Sequence, residues 1–165
     1  MRAAITKLQA LCRRWGGDLV LIPRDSYDNL FYTERKDSIF PKLRHRRMRE
    51  APFASWHGLH WEAKLVFATH EAAEVGPIIH EMGHVFAVPA YPGDEWHFLG
   101  WEALVARQIG AYETWSKENW NYGTNDGDEW GTLSRKQQQE LLVERIADGK
   151  KLGIINRLGR PVAVR

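Results

Sequence analysis

Apolar residues recur at three- and four-residue spacing at the start of the chain, a pattern typical of an amphipathic helix. The predicted helix covers residues 2–15, and its apolar stripe is formed by Ala4, Ile5, Leu8, Leu11, Cys12 and Trp15. Gly16 and Gly17 are expected to end it, because glycine favours the position just past a helix. The unbroken apolar run at residues 19–22 then predicts a strand that is buried on both faces.

Alternation of apolar and other residues predicts a second strand over residues 61–68. Its strongly apolar face carries Trp61, Ala63, Leu65 and Phe67. A shorter strand is predicted at residues 29–33. Residues 34–58 show no clear periodicity and predict neither element.

Two helices are predicted in the second half of the chain. The first follows Asp94, a suitable N-cap, and runs to about Lys117. The second covers residues 134–148, opened by a capping box between Ser134 and Gln137 and ended by Gly149. The segment between them, residues 119–131, is rich in Asn, Asp and Gly and is expected to be a loop.

The stretch at residues 77–87 combines a helical pattern with metal-binding chemistry. It contains His80-Glu81-x-x-His84, which places both histidines on one face of a helix, one turn apart. Two neutral imidazoles at this spacing can hold one Zn²⁺ ion. Glu81, about 100° round the helix, is placed to take a proton from a zinc-bound water. Pro77 suits the first helical turn, and Pro89 prevents the helix from continuing.

A catalytic zinc site needs a third protein ligand, and Glu102 is the favoured residue. It falls on a helix face that is otherwise apolar, with Val105, Ala106 and Ile109. A carboxylate buried there needs a cationic partner, because burying it alone is costly. His97, just upstream, is the alternative third ligand.

The motif and Glu102 resemble the site of the zincin metallopeptidases of the gluzincin type, in which a Glu on a following helix completes the metal site. Over about residues 60–115 the chain looks most like the small phage and bacterial ImmA/IrrE-type metallopeptidases. The resemblance implies an α+β, zincin-like fold with a small mixed sheet packed on an active-site helix and a second, ligand-bearing helix. It also implies that the strand at residues 61–68, or a neighbour, lies at the sheet edge and binds a peptide substrate.

The same resemblance implies a zinc-dependent metalloprotease that hydrolyses peptide bonds. Its ligands would be His80, His84 and Glu102, with one Zn²⁺ per chain, and Glu81 would be the general base. Gluzincins often use a Tyr or His to stabilise the oxyanion. The candidates here are Tyr112, Tyr91, Tyr122 and His97.

Composition fits one cytoplasmic domain over residues 1–165. Hydrophobic residues make up 44% of the chain, including eight Trp, so a substantial core is expected. The single cysteine, Cys12, excludes an intramolecular disulfide and suits a reducing compartment. No 18-residue apolar run or signal peptide is present, so no membrane association is predicted.

The alternative function is a non-catalytic domain of one of two kinds. A zinc-containing regulatory domain would be marked by a closed four-ligand site with His70 or His97 as the extra ligand, and a nucleic-acid-associated domain would use two basic segments. One covers residues 42–49 and the other is a basic tail at residues 150–165. Nucleic-acid binding is not favoured, because the net charge is only +2 and no aromatic residues are interleaved with the 42–49 cluster. Two further acidic motifs, at residues 70–74 and 123–128, are weaker candidates for metal binding and are read as loops.

Overall fold

Five α-helices and a three-stranded sheet make up the part of the chain that the computed structural model describes, which is residues 2–23, 53–54, 64–70, 73–87, 99–119 and 129–164. The α+β class predicted from the sequence is confirmed. The helices are α1 (Arg2–Arg14), α2 (Val75–Phe86), α3 (Leu99–Gln108), α4 (Tyr112–Glu118) and α5 (Arg135–Leu152), with a short 3₁₀-helix at Trp130–Thr132. The strands are β1 (Asp18–Ile22), β2 (Phe53–Ala54) and β3 (Leu65–Thr69).

The sheet has the order β1-β3-β2, with β1 parallel and β2 antiparallel to β3. Within the described residues β3 is paired on both sides and its neighbours β1 and β2 are the outer strands, so the edge position expected of this strand or a neighbour falls to the neighbours. Its residues 66–69 are all buried, so both faces of the strand are covered and not only the strongly apolar face that the alternation predicted. The prediction that β1 is buried on both faces holds for Leu19 but not for Val20, which is half-buried.

Glycines with positive φ explain where the helices end. Gly16, with φ of +82°, follows α1 as predicted. The helix predicted to continue to Lys117 is instead divided into α3 and α4, because Gly110 adopts φ of +72° between them. The apolar residues keep their helical spacing across this break, so the sequence pattern did not predict two separate helices.

Helix α5 begins as predicted and ends later. Ser134 Oγ accepts a hydrogen bond from Gln137 N at 3.1 Å, and Gln137 Oε1 accepts one from Ser134 N at 2.8 Å, which is the predicted capping box. The prediction that Gly149 ends the helix is wrong, because the C-cap is Gly153 with φ of +80°. Gly149 is needed for close packing instead, since a Cβ there would lie 2.5 Å from Ile155 Cδ1.

The core is centred on α2 and is rich in tryptophan. Trp101, Trp115 and Trp130 are all fully buried. Trp101 Nε1 donates to Val162 O at 3.0 Å, and Trp130 Nε1 donates to Ser116 Oγ at 2.9 Å. These bonds satisfy the indole N–H groups of Trp101 and Trp130, whereas Trp115 Nε1 is buried without a hydrogen-bond partner among the described residues.

The last residues fold back onto this core. Ile155 and Pro161 form an antiparallel bridge, and we call residues 154–162 the C-terminal hairpin. Val164 N then donates to Phe86 O, at the end of α2, at 2.9 Å. The predicted basic tail is therefore held by apolar packing and backbone bonds. Among the described helices, none combines the length and apolarity that crossing a bilayer requires.

Candidate metal centre

Helix α2 carries the histidine motif and is anchored by its apolar residues. Ile78, Ile79 and Met82 are fully buried, so the helix cannot rotate without exposing them. His80 and Glu81, which are half-buried, and the buried His84 share the remaining side. The helix therefore fixes the direction in which these three side chains point.

The two histidines lie against each other, as the spacing predicted. His80 Nε2 and His84 Nε2 are 3.1 Å apart, and the two rings are nearly perpendicular at 88°. Nitrogens bound to one tetrahedral zinc at 2.0–2.1 Å would be separated by about 3.3 Å. The pair could thus share one metal ion with little rearrangement.

Glu81 belongs to the same group. One ligand atom from each of His80, Glu81 and His84 lies within 4.8 Å of the other two. The carboxylate is therefore close enough to act on a water molecule beside the two imidazoles. Its role as general base stays a prediction.

Glu102 approaches this group from helix α3. Its side chain is 0% exposed, and its Oε2 lies 3.5 Å from His80 Nδ1. This is not the ring nitrogen that faces His84, so in the geometry shown Glu102 is adjacent to the group of three and not within it. Neither carboxylate oxygen accepts a hydrogen bond from any described residue.

The surroundings of Glu102 fit a cation. A buried carboxylate without hydrogen bonds is unfavourable by several kcal/mol unless positive charge lies close by. Two imidazole nitrogens and one carboxylate oxygen are also a common ligand set of catalytic zinc. The residue types present therefore fit a zinc ion, and the role of Glu102 as third ligand stays a prediction.

Packing of α3 brings Glu102 to this position. A Cβ on Gly100 would lie 2.7 Å from Arg145 C and Ile146 N in the backbone of α5, so α3 sits directly on that helix. Trp101 binds the C-terminal hairpin through Val162 O. These two contacts fix the position of α3, in which Glu102 lies beside His80.

Glu118 supports the start of α2 and was not identified from the sequence. Glu74 does not cap this helix with its side chain, and Gly76 N donates instead to Glu118 Oε2 at 3.4 Å. Burial raises the pKa of Glu118, while the bonds from the backbone amides of Gly76 and Val75 act in the opposite direction. The contact joins residues far apart in the chain, so no local pattern could have revealed it.

Tyr112, the predicted oxyanion stabiliser, is held by contacts at the start of α4. Its ring packs against Trp115 at 5.5 Å, and the Arg107 guanidinium lies 4.8 Å above it. Burial raises the pKa of Tyr112, partly offset by Arg107. Its role stays a prediction, and so do those of His97, Tyr91 and Tyr122, which lie outside the described residues together with residues 29–33, 42–49 and 123–128.

Comparison with known proteins adds no relative. No protein-family model, curated protein or solved structure matches this chain. The case for a metal centre therefore rests on the motif and on the geometry around His80, His84 and Glu102.

Proposed function

We propose that this chain is a zinc-dependent metallopeptidase with a zincin-like, gluzincin-type site. The observation that carries the proposal is the fully buried Glu102 carboxylate, which accepts no hydrogen bond from a described residue and lies 3.5 Å from a histidine of the His80–His84 pair. A bound zinc ion would compensate this negative charge and use both imidazoles.

The proposed chemistry is hydrolysis of a peptide bond. His80, His84 and Glu102 would hold the metal, which when bound supplies Lewis-acid polarisation of a carbonyl and acidifies water. Glu81 takes one proton from the attacking water as the carbon–oxygen bond forms. It then gives that proton to the departing amine nitrogen as the carbon–nitrogen bond breaks, so that one water is consumed per bond cleaved.

The proposed substrate is a protein or peptide in the cytoplasm. The location rests on Cys12, the single cysteine of the chain, which is fully buried. Burial raises the pKa of its thiol to about 12, so it stays protonated and unreactive. A protein with one inert thiol and no disulfide suits a reducing compartment.

Zinc content and cleavage together test the proposal. The purified chain should hold about one zinc, measured by elemental analysis, and should generate new N-termini in a peptide library detected by mass spectrometry. Glu81→Gln should keep the zinc and lose the cleavage, because the general base is removed while the ligands stay. No metal uptake at neutral pH would refute the proposal, and zinc without cleavage would favour the alternative, a non-catalytic zinc-containing regulatory domain.

A further inference from the structure

A cavity lies between the end of α1, helix α3 and the C-terminal hairpin. Its volume is about 560 Å³, which is within the range of roughly 300–1,000 Å³ typical of small-molecule sites. One part of its wall is apolar and is formed by Leu11, Leu104 and Pro161. The described lining includes none of the residues assigned to the metal centre, so binding at this cavity does not require the proposed peptidase activity.

Three arginines from three separate segments line this cavity. They are Arg14 at the end of α1, Arg107 in the last turn of α3 and Arg160 in the hairpin, and all three are exposed. None of the described residues that line the cavity is acidic. Across the described ranges, none of the three guanidinium groups forms an ion pair with a carboxylate.

The partners of Arg107 are neutral. Arg107 lies over the Tyr112 ring and donates to Gln139 Oε1 at 3.2 Å. These contacts orient the guanidinium without cancelling its charge. Three like charges at one cavity repel one another, and an anion bound between them would reverse that cost.

Hydrogen bonds fix the backbone conformation of the turn that carries Arg160. Asn156 Oδ1 accepts hydrogen bonds from Leu158 N and Arg160 N, both at 3.0 Å, and Gly159 adopts φ of +79°. The bridge between Ile155 and Pro161 closes this turn. A ligand would therefore meet a preformed backbone, which lowers the entropy lost on binding.

Helix dipoles explain only part of this arrangement. Arg14 and Arg107 lie near helix C-termini, where a positive charge is favourable without any ligand. Arg160 is not in a helix, yet it lines the same cavity from a different part of the chain. Helix dipoles therefore do not explain why all three arginines line the same cavity.

We propose that this cavity binds a phosphorylated small molecule. Its phosphates would contact Arg14, Arg107 and Arg160, because the planar guanidinium group matches phosphate oxygens in paired hydrogen bonds. Its apolar or aromatic part would pack on Leu104 and the neighbouring apolar wall. A nucleoside triphosphate has both parts and serves as the probe.

Calorimetric titration of the full chain with ATP tests the proposal, in metal-free buffer so that chelation of zinc adds no heat. Arg14→Gln and Arg160→Gln should each weaken binding by roughly 10- to 100-fold, the loss expected for one charge-assisted contact. Arg13→Gln and Arg157→Gln are matched controls, because they remove the same charge from the same segments without lining the cavity. They should change the affinity less than about threefold.

Two further titrations separate the parts of the ligand. ATP should bind more tightly than inorganic tripolyphosphate, and Leu104→Ser should weaken only the ATP complex. Equal affinity for the two probes would overturn the role of the apolar wall. Equal losses in control and cavity variants, no saturable ATP binding, or tighter binding of a single-stranded DNA oligonucleotide would overturn the proposed site.

Discussion

Replacing Glu102 by methionine should raise the free energy of unfolding without metal and lower the stabilisation that zinc provides. Methionine has a similar length but no charge, so the change removes a carboxylate that is 0% exposed and accepts no hydrogen bond from a described residue. Without metal, the protein should become more stable. With zinc, it should lose the stabilisation that the wild type gains.

The size of the first effect follows from the burial of Glu102. An unsatisfied buried polar group costs about 1–3 kcal/mol, and replacing a whole buried ion pair by apolar side chains is often neutral or stabilises by about 1–4 kcal/mol. The free energy of unfolding in the presence of a chelator should therefore rise by about 1–3 kcal/mol. For a chain of 165 residues, this corresponds to an increase in Tm of roughly 3–10 °C.

The second effect is a loss of linkage between folding and zinc. A ligand present at 100 times its Kd stabilises the native state by about 2.7 kcal/mol, and Glu102→Met should lack most of this gain. A carboxylate that only orients a histidine ligand usually changes metal affinity by roughly 10- to 100-fold. A loss larger than this would identify Glu102 as a ligand.

Urea unfolding followed by circular dichroism, with chelator and with zinc, measures both effects. The matched control is Glu113→Met on α4, where the side chain is 67% exposed and its ion pair with Arg135 is long at 3.9 Å. That variant should stay within about 0.5 kcal/mol of the wild type in both conditions. The reasoning is refuted if Glu102→Met is less stable than the wild type without metal, or if it binds zinc as tightly.

Three further substitutions test the structure around the site. Glu81→Gln should retain zinc by elemental analysis while hydrolysis of a peptide library falls by at least 100-fold, since one proton-transfer group typically contributes that much. Gly100→Ala should lower the free energy of unfolding in urea by about 1–3 kcal/mol, because its Cβ would lie 2.7 Å from the α5 backbone; unchanged stability would contradict this packing. Glu118→Gln should flatten the pH dependence of stability. Burial raises the pKa of Glu118 in the folded state, so its contribution to stability falls as pH rises above the ordinary glutamate pKa of about 4.3 towards the raised value, and glutamine removes that fall.

Local sequence signals predicted local structure well. The capping box at Ser134 and the glycine end of α1 depend on residues within one turn of each other, and both are as predicted. The His80–His84 spacing is also local, so the close approach of the two rings could be read from the motif alone. In each case the deciding interaction lies between neighbours in the chain.

Predictions that depended on distant residues were less successful. Gly149 and Gly153 are both reasonable helix ends by sequence, but Gly153 is the C-cap and Gly149 lies within the helix, packed against Ile155. The sequence left open whether the strand at residues 61–68 or a neighbour lies at the sheet edge, because strand order depends on pairing with residues 53–54. The cap that Glu118 provides for α2 had no local signal at all.

Helix α3 shows why the site needs more than its motif. One helix can place two histidines together, but the carboxylate comes from α3, whose position depends on α5 and the C-terminal hairpin. The opposite side of α3 contributes Leu104 and Arg107 to the arginine-lined cavity. Arg14 and Arg160, by contrast, are exposed side chains that lie outside α3. Replacing them should therefore leave zinc affinity unchanged, whereas changes within α3 would affect the metal centre and the cavity together.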